Sequence, residues 1–247
     1  VGRALDLLQQ IRRESPADRR VLYLLAQAQR EAGKLDDAEA TARQLLAVAP
    51  GWPTGAYVLG TVLGQKQQYR GVVETLEPIV GASASAPASD AGGDLLPALL
   101  QLGFAYLELG DADRARATFE RAQKMSPGNP TVELYLIEAQ LAARRYAEAV
   151  ALARKARSGQ PGNQHLLRLE AEALRQDGKG DEGAALLADA LASRPDEVAS
   201  YTALAEFEAV RARYDAALAV LARAAEKFPG DVTVSFVAAA VAAIRRS

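Results

Sequence analysis

The chain has 247 residues, is 49% hydrophobic and 24% charged, and carries a net charge of −2. That is the composition of a folded protein with a sizeable core, and the near-neutral charge gives no general affinity for nucleic acid or anionic lipid. The absence of Cys excludes disulfides, thiolate catalysis and Cys-based zinc sites, and no apolar run approaches the ~20 residues that span a bilayer.

Aromatic bulk is sparse, at 5 Phe, 8 Tyr and 1 Trp, so Ala and Leu must build most of the core. Such a core suits closely packed helices and suits a β-sandwich badly. The prolines supply the period. Pro16 and Pro50 stand 34 residues apart, and Pro127, Pro161, Pro195 and Pro229 continue at that interval. Pro50 and Pro127 are separated by 77, two periods plus nine residues, and the surplus falls in a small-residue stretch, GASASAPASDAGGD, at 81–94.

In chain order, 1–18 carries Ala4, Leu8, Ile11 and Pro16, the pattern of a second helix whose first helix is absent. Residues 19–52 form a first full unit: an apolar-periodic stretch, a break at Gly33, a second stretch and a Pro. Residues 53–80 form the next, and 81–95 read as a flexible insert. Units follow at 96–129, 130–163, 164–197 and 198–231, with breaks at Gly110 and Gly178. Gly can take left-handed dihedrals and Pro cannot continue a helix, so each unit reads as two helices of about a dozen residues joined by a short turn. Residues 232–247 match one more first helix, unusually apolar at VTVSFVAAAVAAI. A capping helix normally shows a polar outer face, so the chain reads as a piece of a longer protein, or as one that self-associates through 232–244.

Small and large residues at fixed places give the units a family likeness. In 96–129 these are Leu99, Leu102, Gly103 and Tyr106 on the first helix, Ala115, Phe119 and Ala122 on the second, and the closing Pro127. In 19–52 they are Leu22, Leu25, Ala26, Gln29, Ala38, Ala42, Leu45 and Pro50. The pattern resembles the tetratricopeptide repeat over nearly the whole chain. It departs in lacking the family's frequent Trp early in the first helix, and in placing Glu133 and Ile137 where a bulky apolar and a small residue are usual. The resemblance implies an all-α fold, an α-solenoid with a right-handed superhelix of tandem hairpins whose first helices line a concave groove.

It also implies which residues face that groove. The first two units offer Arg20, Tyr23, Gln27 and Arg30, then Thr54, Tyr57 and Thr61; the middle offers Leu100, Phe104, Leu107, Leu134, Glu138 and Leu141. The unit at 164–197 offers His165, Arg168, Glu172 and Arg175. An apolar centre between polar, Arg-bearing ends suits a peptide or helix seat. The Lys and Asn pair with which family members clamp a C-terminal carboxylate is missing here, so that activity is not implied. Two other readings of the apolar centre stay open: cover by the chain's own 81–94 segment, and ordinary packing between repeats.

Catalytic and metal chemistry find little footing. His165 is the only histidine, and no nucleophile elbow accompanies it. Gly178, Gly180 and Gly183 spell the dinucleotide-binding pattern, but a helix precedes them where that mechanism needs a strand. Acidic pairs such as Asp36–Asp37 and Asp181–Glu182 open second helices, where the macrodipole favours negative charge. No Asp-rich calcium loop or His-x-x-x-His pair occurs.

The sequence therefore predicts a non-enzymatic scaffold or adaptor with no cofactor and no metal, binding a protein or peptide segment. Its Ala/Arg/Leu-rich style resembles bacterial envelope proteins of secretion, polysaccharide export or pilus assembly. Cys-free composition suits periplasm and cytosol alike. A regulatory or targeting arm of a larger enzyme and a self-assembling structural protein are the alternatives.

Overall fold

The structure, a computed structural model, describes residues 2–83 and 92–246, which hold fourteen α-helices and no strand. Seven are first helices of hairpins: α2 (Arg19–Glu31), α4 (Pro53–Gln65), α6 (Gly92–Glu108), α8 (Pro130–Ala142), α10 (Gln164–Gln176), α12 (Val198–Val210) and α14 (Val232–Arg246). Seven are second helices: α1 (Gly2–Glu14), α3 (Leu35–Val48), α5 (Tyr69–Ser83), α7 (Ala112–Met125), α9 (Tyr146–Gly159), α11 (Gly180–Ser193) and α13 (Tyr214–Lys227). The 81–95 insert expected from composition is shorter in its described part: α5 runs on to Ser83 and α6 begins at Gly92. The rest of that expectation, 84–91, lies outside the described residues.

One backbone device ends the six first helices from α2 to α12. The second residue after each is left-handed: Gly33, Gly110 and Gly178 at φ of 74°, 77° and 79°, and Gln67, Arg144 and Ala212 at 58°. These six positions keep the 34-residue phase once the nine extra residues are allowed for. After Gly33, Gln67, Gly110, Gly178 and Ala212 the next N–H donates five residues back, as Lys34 does to the Gln29 carbonyl at 2.9 Å and Asp111 to Tyr106 at 2.8 Å. The orphan carbonyls of the helix end are thereby satisfied. The three non-Gly turns carry strain of ~1 kcal/mol each that Gly would not. Four first helices begin at a side-chain cap. Asp18, Asn129 and Asn163 each accept N–H bonds two and three residues on, and Asp231 caps α14 through Val234.

Close approach within a hairpin is set by residues without bulk. Ala26, Ala171 and Ala205 on first helices and Ala38, Ala115, Ala149 and Ala217 on second helices are fully buried. A Cβ added to Gly103 would stand 2.5 Å from the Phe119 ring, and one on Gly183 would stand 2.6 Å from Phe207.

Ion pairs span the seams between successive hairpins at a constant separation of thirty residues. Lys66 bonds Asp36, Arg211 bonds Asp181, and Arg245 bonds Asp215. The first is the best built, because Lys66 also donates to Glu39, which is 7% exposed. The Lys66 hydrogen bonds hold both carboxyls below their usual range, and in turn raise Lys66 above its own. Groups with depressed folded pKa values stabilise above their unfolded values and lose that contribution as pH falls. Lys66 adds its part at any pH below its unfolded value. The clamp is thus complete across the neutral range and fails in acid. Lys66→Met is expected to melt below the wild type near pH 7, with the gap closing in acid as pH falls through the depressed range of the two carboxyls. A gap independent of pH would assign the loss to packing.

The contacts divide the chain into two compact units, 1–143 and 144–247. In the first, each helix packs on its chain neighbours, and the first helices also pack on one another in the series α2, α4, α6, α8. In the second, α9 packs on α10, α10 on α11, α11 on α12, and α12 on both α13 and α14. The boundary falls within the repeat that carries Glu133 and Ile137, and Ile137 is fully buried.

Candidate protein-binding face

In the first unit, α2, α4, α6 and α8 pack directly on one another in series. Tyr23, Gln27 and Arg30 lie on α2, Tyr57 and Thr61 on α4, Leu100, Phe104 and Leu107 on α6, and Leu134, Glu138 and Leu141 on α8. All are half-buried except Phe104, which is exposed. Phe104 stands between two tyrosines, 6.0 Å from Tyr69 in an edge-on contact and 6.2 Å from Tyr135. Tyr135 in turn stacks on the buried Phe119 at 5.4 Å. The aromatic row therefore runs from the hydrophobic core to the surface and holds Phe104 in place from both sides.

Tyr69 and Tyr135 were not among the residues singled out from the sequence. A signal existed for one of them: Tyr69, Tyr146 and Tyr214 all open second helices, at one phase of the repeat. At the start of the array Arg19 lies 5.4 Å over the ring of Trp52, which also contacts Tyr23.

A cavity of about 260 Å³ opens beside Phe104. Gly60, Thr61 and Gly64 of α4, Tyr69 of α5, and Gln101 and Phe104 of α6 line it, and no lining residue is charged. Gln101 donates to the Thr61 hydroxyl at 2.6 Å, and that hydroxyl donates to the Tyr57 carbonyl at 2.9 Å. The Gln101 carbonyl oxygen is buried without a hydrogen-bond partner.

The second unit presents a different face. Burial favours protonation of Glu172, but hydrogen bonds from Arg175 and Gln176 outweigh it and hold the carboxyl below its usual range. Arg175 grips Glu172 through two nitrogens, at 2.8 and 2.5 Å. Arg168 pairs with Glu206 of α12 at 3.4 Å. The charges expected to face a partner here are already neutralised by one another.

The features weighed for chemistry resolve into structure. His165 is exposed and its N–H meets the Asn163 cap. Gly178 makes the left-handed turn, Gly180 opens α11, and Gly183 lies against Phe207. Burial, with a hydrogen bond to Glu77, pushes the Tyr106 phenol up to about 12, so it remains a donor at neutral pH. Among the described residues no group of acidic and His side chains is arranged to hold a metal, and no helix is long and apolar enough to cross a membrane.

A tetratricopeptide repeat family model matches residues 1–60 and 140–207, and a second model of the same description matches 100–163. The chain belongs to the tetratricopeptide repeat family. No curated protein sequence matches it. Solved structures, tetratricopeptide repeat proteins among them, share its fold. One from Parabacteroides merdae is 14% identical with a TM-score of 0.66, over 96% of this chain and 91% of that one. YrrB, described as a TPR protein with an unusual peptide-binding site, is 16% identical with a TM-score of 0.65, over 80% of this chain and 97% of its own. Pseudomonas aeruginosa pilF is 16% identical at a TM-score of 0.59, over 78% and 84%. Tetratricopeptide repeats are in general protein-interaction modules without catalytic activity, and in that general sense the chain is an interaction scaffold.

Proposed function

We propose that this tetratricopeptide array is a non-enzymatic adaptor that seats a segment of a protein partner on the outward face of α2, α4, α6 and α8. The observation that carries the reading is Phe104: 37% exposed, braced by Tyr69 and Tyr135, and flanked by half-buried leucines. Rigid aromatic anchors amid apolar neighbours give affinity at low entropic cost, and the polar residues of α2 and α4 would fix register. The paired charges Arg168, Glu172 and Arg175 on α10 are offered as a secondary, polar contact. The Ala-, Arg- and Leu-rich composition extends the reading to a bacterial envelope assembly for secretion, polysaccharide export or pilus formation.

The test compares wild type with Phe104→Glu plus Leu134→Glu, after both show equal helicity and melting. The double variant is expected to lose at least about tenfold in capture of the partner that wild type retains from source lysate. Equal capture by both would overturn the assignment.

A second reading rests on α14, where Val232, Phe236 and Ile244 are 80%, 73% and 53% exposed. We propose self-association through this face. Phe236→Glu is then expected to reduce the sedimenting mass at micromolar concentration, and an unchanged mass would remove the idea.

A further inference from the structure

The cavity beside Phe104 carries a more specific inference, which rests on the partner-binding reading of the same face. Two of its residues break the repeat pattern in ways that packing does not require. Gln101 stands at a phase where the other five repeats carry Leu24, Val58, Tyr135, Leu169 and Ala203. It is the only side-chain amide in that column, and its carbonyl oxygen, like those of Gln29 and Gln140, is buried with no partner. An acceptor removed from water and left unpaired is destabilising, and this one belongs to a residue that lines an open cavity.

Gly64 is the second anomaly. Gly60 is required by its neighbours, since an added Cβ would meet Leu76 at 3.0 Å and the Gln101 oxygen at 3.1 Å. A Cβ on Gly64 would meet nothing within 4 Å. Gly in a helix interior is among the least favourable choices, so a larger residue would fit this site and strengthen α4. Its absence serves one visible end, which is to keep the cavity open.

We propose that this cavity receives an aromatic side chain bearing a single hydrogen-bond donor, an indole or a phenol, from the bound segment. The walls are the rings of Tyr69 and Phe104, set edge-on to each other, which suit a third ring. The lining carries no charge to attract an ammonium or a carboxylate. The unpaired Gln101 oxygen takes the donor that an indole N–H or phenol O–H supplies and that phenylalanine lacks. The chain's own 84–91 segment contains no aromatic residue and does not supply this ring.

The experiment titrates the 247-residue protein with N-acetyl-tryptophanamide and follows amide resonances. Saturable shifts are expected at Gly60, Gly64 and the Gln101 side-chain amide, with the 1-methylindole analogue binding about threefold or more weakly. Gly64→Leu is expected to melt at or above the wild type and to lose at least about tenfold in probe affinity, a loss that unfolding cannot produce. Shifts confined to other residues, equal binding of the methylated probe, or retained affinity in Gly64→Leu would each overturn the assignment. Should the probe fail while Phe104→Glu plus Leu134→Glu still abolishes capture, the cavity assignment falls and the partner-binding face stands. The converse pattern would leave the cavity with its aromatic ligand and remove the wider face.

Discussion

Phe119→Ala is expected to cost the first unit about 3–5 kcal/mol, the range for removing a fully buried aromatic ring. Its ring lies under Gly103 on one side and is stacked by Tyr135 on another, so no neighbour can collapse into the space without breaking a helix contact. The sole tryptophan, Trp52, lies in this unit and reports its unfolding in denaturant by fluorescence. The decisive version is a double-mutant cycle. Gly103→Ala alone is expected to destabilise by about 1–3 kcal/mol through overpacking, because its methyl would meet the Phe119 ring at 2.5 Å. In the Phe119→Ala background the same change is expected to stabilise by up to ~1 kcal/mol, since the clash is gone and helix propensity remains. A cycle without this reversal of sign would show that Gly103 is not present for the sake of Phe119.

The second large effect concerns Glu170. It occupies the column held elsewhere by Leu25, Leu59, Leu102, Leu136 and Leu204, and it is 1% exposed. Arg154 and Arg157 of α9 bond its two oxygens at 3.1 and 2.6 Å. Replacing both arginines by Ala leaves a buried carboxylate unpaired and is expected to cost about 3 kcal/mol. That is the low end of the range for broken buried pairs, because Arg154 is 60% exposed and its share is screened. Glu170→Leu, which restores the residue of the column, is expected to leave stability unchanged or to raise it by about 1–2 kcal/mol. Hydrogen exchange on α9 and α10 separates the two outcomes locally. If Glu170→Leu proved as damaging as the double arginine variant, the ion cluster would be a net source of stability.

What the sequence made legible was whatever repeats. Proline and glycine punctuation, the small pairs such as Ala26 with Ala38, and the half-buried outward positions of α2 to α8 all follow from one period. What it hid was whatever departs from the period. Glu170 is invisible to a search for apolar spacing, because its compensation comes from arginines on the preceding helix. Tyr69 and Tyr135 brace Phe104 from neighbouring helices, a contact that no single-helix pattern encodes. The mutual neutralisation of Arg175 and Glu172 likewise depends on rotamers, which spacing does not fix.

The left-handed turns at Gly33, Gln67, Gly110, Arg144, Gly178 and Ala212 bear on how such a chain can change over time. After Gly33, Gln67, Gly110, Gly178 and Ala212 a main-chain bond reaches five residues back, so side chains play little part in closing these corners. A corner can then accept glycine, an amide, a guanidinium or a methyl for a small conformational penalty. Mutational drift at these corners is therefore decoupled from the core, and the loops between paired helices form a reservoir of tolerated variation. New surface chemistry can be acquired there while the hairpins beneath stay the same.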